Sequence, residues 1–158
     1  MARLTTVSRK PLQLGLIAGA VGTVALNVVT YADMAIRARP PSSMPVEAAG
    51  KLAEKIGMPL GNEENSTHHK KGLGALPGFV TGLGTGAAYG LLRSRKDLPL
   101  PVAVLGSSVA AMAGSGVPMT ALGLTDPRKW PASSWAMDIV PHLAYGAAAA
   151  AAYEVITR

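Results

Sequence analysis

The chain has no cysteine, which excludes disulfide staples and thiolate metal sites. Aromatic side chains are almost missing too. They make up 4% of the residues, and Phe79 is the single phenylalanine. Charge is scarce at 15%, where an average soluble chain carries about 25%. A soluble core of this size is normally filled with larger groups, whereas alanine and glycine do the filling here. Acidic residues are fewer than basic ones, 9 against 15. The excess forms no basic stripe interleaved with aromatics, so it does not point to nucleic acid. No nucleophile elbow, zinc-protease helix or phosphate loop is present, which removes the commonest enzyme classes. Gly82-Leu83-Gly84-Thr85-Gly86-Ala87 fits a loose dinucleotide pattern, but no strand precedes it and the glycines continue on both sides. His68 and His69 are neighbours that do not share a helical face, and no acidic ligand accompanies them. With Lys70 and Lys71 they read as a headgroup-contacting cluster rather than a metal site. No cofactor, no metal and no enzymatic activity are expected.

What is present is glycine in a pattern. Gly74, Gly78, Gly82, Gly86 and Gly90 fall four residues apart within an apolar run from Leu73 to Leu92. Each interior glycine costs a soluble helix about 1 kcal/mol against alanine. A bilayer reverses the argument, because helices associate there by close backbone approach along rows of small residues. Four residues advance a helix by about 400°, so five such glycines sweep roughly 160° of its surface and can meet two neighbours. Gly15 and Gly19 repeat the spacing near the start of the chain, and Gly106, Ala110 and Gly114 repeat it later.

These runs predict an all-α integral membrane bundle, one domain over 1–158, with four spans at about 12–36, 73–92, 101–122 and 134–156. The apolar part of the first, Leu12–Val29, lies near the roughly 18-residue spanning threshold. Its basic start invites a signal-peptide reading, but the run is too long and Thr30-Tyr31-Ala32 is a poor cleavage site. Trp130 and Trp135 sit where interfacial aromatics belong, and Ser133 or Ser134 is placed to cap the fourth span. The loop 38–72 holds a short amphipathic helix, about Val46–Ile56, followed by a polar linker at Gly61–Ser66. The apolar face of that helix, Val46, Ala49, Leu52, Ala53 and Ile56, rests on the bilayer surface or on the neighbouring spans, or docks a partner. With four spans both termini share a side with Arg3, Arg9, Lys10, Arg93, Arg95, Lys96 and Arg158. The density of these charges near span ends favours cytoplasmic termini.

Ionisable groups inside a span mark functional sites by default. Asp33 lies late in the first span; Asp138 and His142 lie one turn apart early in the fourth. Alternating spans bring these ends to one depth, together with Asn27 and Thr30, Thr81, Ser115 and Thr120. Pro141 adds a local backbone defect. The polar set Asn27, Thr30, Asp33, Asp138 and His142 therefore reads as a structural network, a proton or cation route, or a ligand site. Asp138 has His142 or Arg37 as partner.

The chain resembles the YagU-like bacterial inner-membrane proteins. The matching pieces are Gly15-Leu16-Ile17-Ala18-Gly19, Ala32-Asp33 with a proline- and serine-rich exit, Gly123-Leu124-Thr125, and Asp138-Ile139-Val140-Pro141-His142-Leu143. The resemblance implies a multi-spanning protein and draws attention to Asp33, Asp138 and His142. It supplies no reaction. The function expected is non-enzymatic, working by helix–helix assembly as a homo-oligomer or an accessory subunit of a larger membrane complex. The alternative is a small transporter or proton/cation channel using the Asp/His cluster. A peripheral helical protein is the remaining reading.

Overall fold

Each apolar run becomes a helix, and the polar loop contributes one more. The structure, a computed structural model, describes residues 9–158. Its helices are α1 (Arg9–Arg37), α2 (Met44–Lys55), α3 (Glu63–Arg93), α4 (Leu100–Ala121) and α5 (Ala132–Thr157), with a 3₁₀ turn at Pro127–Lys129 before α5. No strand occurs among the described residues. Arg3, counted above among the basic residues near the N-terminus, lies outside them.

Three helices are long and apolar enough to cross a membrane: Lys10–Arg37, Leu100–Ala121 and Ala132–Thr157. The expectation was four. α3 falls out of the set because glycine contributes little hydropathy, and its first turns, Glu63 to Lys71, are polar. Its start also corrects the linker expected at Gly61–Ser66. Asn62 caps α3, its side-chain oxygen accepting from the Asn65 N–H at 2.9 Å, and Glu63 and Glu64 favour the positive end of the helix dipole. Neither Ser133 nor Ser134 caps α5; Pro131 holds the N-cap position, with no side-chain cap.

α1 is the central helix, packing on both α3 and α5; α5 carries α4, and α3 carries α2. The α1–α3 crossing is as close as backbones allow. A Cβ added at Gly19 would lie 2.6 Å from the Gly82 carbonyl oxygen, and one at Gly15 or Gly86 would strike the opposing backbone. Gly90 faces Pro11 and Gly15 in the same way. Gly74, at the other end of the row, is turned to a different neighbour. A Cβ there would lie 2.6 Å from the Pro45 carbonyl oxygen of α2. Gly78, between them, has nothing within 4 Å.

α5 reads the same row from the other side. Tyr145 and Tyr153 are eight residues apart, as are Gly82 and Gly90. The two hydroxyls donate to those two glycine carbonyls, at 2.6 and 3.2 Å. Ala18, Tyr89, Ala103, Ala150 and Tyr153 make the core of this end. The Tyr89 and Tyr153 rings meet edge to face at 5.1 Å. Arg93 closes the end, its Nε donating to Glu154 at 3.1 Å.

Two expected faces turn out differently. On α4 the small row that packs is Ala103, Ser107 and Ala111, whereas Gly106 and Ala110 point away from the bundle and only Gly114 approaches a neighbour, Thr81. On α2 the buried residues are Ala48, Ala49 and Ala53; Leu52 and Ile56 are exposed. On α2 the small side chains are the ones buried, because they let the helix axes come closer. Large side chains elsewhere, including Ile17, Val21, Val24 and Val28 on α1 and Leu105, Val109 and Val117 on α4, are left outward. So much contiguous apolar surface is foreign to a soluble monomer and suits lipid.

Candidate functional site

Beyond the glycine crossing the four long helices border a half-open cavity of about 670 Å³. Its wall runs over residues 23–34 on α1, 71–82 on α3 and 134–145 on α5. Eleven helical steps make it roughly 16 Å deep, about half of the ~30 Å hydrocarbon core of a bilayer. The deepest residue on each of these helices belongs to a single contact. Thr23, Gly82 and Tyr145 meet where the Thr23 hydroxyl and the Tyr145 ring press on Gly82 and the Tyr145 hydroxyl holds its carbonyl. The cavity is therefore blind, floored by the glycine crossing.

Four of the five residues expected to form an intramembrane polar site line this cavity: Asn27, Thr30, Asp138 and His142. Asp33 does not. It lies at the mouth in an ion-pair cluster with Arg37, at 3.3 Å, and Arg39. Arg37 also donates to the Met137 sulfur at 2.9 Å, and it is His142, rather than Arg37, that pairs with Asp138.

The His142–Asp138 pair is built by the helix itself. A four-residue spacing puts both on one face. His142 Nδ1 lies 2.7 Å from the Asp138 carbonyl oxygen and 3.3 Å from its carboxylate. A carbonyl only accepts, so Nδ1 carries the proton and Nε2 faces the cavity, 3.4 Å from the Ser115 hydroxyl. Pro141 lies in this turn, where it removes a backbone donor. Asn27 and Thr30, on successive turns of α1, make no side-chain hydrogen bond to any described residue, although both border the cavity. Their donors and acceptors are open to whatever occupies it.

Several lining residues were not foreseen. Tyr145 supplies the floor, and its match to the glycine spacing was visible as Tyr145 and Tyr153. Trp130 lies at the mouth, bonded to the Thr125 hydroxyl at 2.6 Å and stacked edge to face on Trp135 at 5.1 Å. Met34, Met44, Met119 and Met137 line the wall. Methionine is flexible and polarizable, and suits a surface that adapts to its contents. Among the described residues no group of three histidine or carboxylate side chains is arranged to hold a metal.

No protein-family model, curated protein or solved structure matches the chain, so no residue role is carried over from a relative.

Proposed function

We propose that the protein is a small membrane carrier that holds a ligand in the hollow half of a four-span bundle. The observation behind this is the blind cavity itself. It has the size of a small-molecule site, an apolar wall, and a few convergent polar groups, which is the usual make-up of a binding pocket. Asn27 and Thr30 offer free hydrogen-bonding groups, and the Asp138–His142 pair offers an exchangeable proton. In this reading α3 is the fourth span despite its modest hydropathy. Gly82, Gly86 and Gly90 are covered by α1, and the large side chains left outward, Leu76, Phe79, Val80 and Leu92, are all apolar. A YagU-like affiliation, a bacterial inner membrane and cytoplasmic termini belong to the same proposal, resting on the short motifs and the basic residues at span ends.

Assembly with other chains is the second reading. The glycine row that suggested it is occupied within the chain, by α1, α2 and α5. One small-residue face left for a homo-oligomer or a larger complex is the outer side of α4, where Gly106 and Ala110 are exposed.

Native mass spectrometry of protein extracted in mild detergent separates the two. A carrier shows a small-molecule adduct on the monomer that disappears in Gly78→Leu, a change that fills cavity space. Absence of any adduct, with stoichiometric recovery of a larger partner or a second copy, removes the carrier reading and leaves assembly.

A further inference from the structure

The ligand class can be read from charge, depth and access, given the binding role proposed for the cavity. At the mouth stand Arg37 and Arg39, which share one carboxylate, Asp33, and Lys71, which lines the cavity with no carboxylate within ion-pair distance among the described residues. These four groups sum to two positive charges at the level where helix ends meet the interface. Asp138 is the one carboxylate on the wall, and it is already engaged by His142. A negative group is therefore attracted to the mouth and kept from the interior, where Asp138, hydrogen-bonded by the His142 ring, is the one charge on the wall.

Depth fixes the rest of the molecule. The wall is roughly 16 Å long, the thickness of one leaflet's hydrocarbon, and most of the surface lining it is apolar, with polar side chains set among Leu26, Ala75, Phe79, Ala111 and Met119. Three of the deeper hydroxyls are satisfied within the protein. The Thr23 hydroxyl donates to the Gly19 carbonyl, that of Tyr145 to the Gly82 carbonyl, and Ser115 to the carbonyls of its own helix. Of the groups that make no hydrogen bond to a described residue, Thr30 lies toward the mouth, at the depth of a headgroup's first linkages, Asn27 about one turn deeper, and Thr81 beside the floor.

Access is from the side. α3 and α4 approach closely where Thr81 meets Gly114. Toward the open end, Gly78 and Phe79 face the cavity from α3 and Gly116 and Met119 from α4. Neither Gly78 nor Gly116 has anything within 4 Å of where a Cβ would be. A chain already lying in the bilayer can enter there without crossing water.

We infer that the cavity binds a singly anionic amphiphile with one long acyl chain, taken laterally from one leaflet, its charged head at Arg39 and Lys71 and its chain ending on the Thr23–Gly82–Tyr145 floor. A fatty acid, or a lysophospholipid whose headgroup carries no cation, such as a lysophosphatidylglycerol, has this chemistry.

Trp130 and Trp135 are the two tryptophans of the chain, and Trp130 borders the cavity, so intrinsic fluorescence reports occupancy. The test titrates full-length protein in an unbrominated maltoside with a long-chain fatty acid brominated at mid-chain. Parallel titrations use a brominated long-chain trimethylammonium ion, and unlabelled butyrate and inorganic phosphate as competitors. Expected is saturable quenching by the fatty acid, weak quenching by the cation, and no competition by butyrate or phosphate. Gly78→Leu, whose Cβ would meet nothing within 4 Å, should weaken binding about tenfold or more, and Lys71→Gln several-fold. Displacement by an unlabelled lysophospholipid assigns the head to a phosphodiester, whereas displacement by fatty acid alone assigns it to a carboxylate. Non-saturable quenching, equal quenching by both charges, or indifference to Gly78→Leu overturns the assignment. If a native-mass adduct persists under any of those outcomes, the carrier stands with another ligand; if none is found, both fall.

Discussion

Gly78 and Gly86 belong to one row and predict opposite outcomes. A methyl group at Gly86 meets the backbone of Gly15 and Gly19, and neither can retreat without moving α1. Gly86→Ala should therefore destabilise the protein by about 1–3 kcal/mol, in the range of an overpacked core. Gly78→Ala adds a methyl to open space and should be neutral or slightly stabilising, since alanine is the better helix former. Thermal unfolding in detergent, followed by tryptophan emission, measures both. Equal losses would mean that the α1–α3 crossing is looser than its backbone distances. Tyr145→Phe removes a buried hydroxyl from the Gly82 carbonyl and should cost about 1 kcal/mol. His142 makes a prediction about pH. The charged groups around the cavity are Asp33, Arg37, Arg39 and Lys71 at the mouth and Asp138 beside the imidazole. Protonating His142 adds a positive charge next to Asp138 and cancels the negative one inside, so an anionic ligand should bind more tightly as pH falls. Fluorescence titration across neutral pH should show this dependence in the wild type and not in His142→Gln.

At the scale of the helix, α2 is the element that small residues hold in place. Its alanine face lies on α3, and Gly74 admits the Pro45 carbonyl. Lys51 reaches across to the Leu122 carbonyl at 3.0 Å, tying α2 to the end of α4. Gly74→Val should lift α2 from its seat, raising the rate of tryptic cleavage after Lys51 and Lys55 several-fold, while cleavage after Arg95 stays unchanged. How elements were legible in the sequence follows from the same residues. The apolar runs and the glycine spacing show that helices exist and cross closely, because both are periodic properties of one chain. Asn27, Thr30, Asp138 and His142 could be placed at one depth because alternating direction fixes depth. Azimuth is not fixed that way. Whether Gly106 or Ser107 faces α5, and whether Leu52 or Ala49 faces α3, depends on how the facing surfaces of two helices fit, a property of pairs. Asp33 left the cavity for the same reason. Arg39 folds back on it from beyond the helix end, outside any helical periodicity.

For the whole molecule, a tight half and a hollow half are one consequence of one crossing. Packing α1 against α3 through Gly15, Gly19, Gly82 and Gly86 brings those axes together below Thr23, and the cavity opens above it. The cavity occupies one leaflet only if α3 also crosses the bilayer, so the number of spans decides the geometry of the site. The lack of cysteine makes that number measurable without background. Thr67→Cys and Ser94→Cys lie at the two ends of α3, one in its exposed first turns and the other at its C-cap. If α3 spans, a membrane-impermeant maleimide should label one of them in sealed vesicles of fixed orientation and the other only after permeabilisation. If both are labelled from the same side, α3 lies along the membrane, three spans remain, and the hollow half faces water rather than lipid. In that event Gly78→Leu should lose its effect on acyl-chain binding, because the seam between α3 and α4 would no longer open into a leaflet.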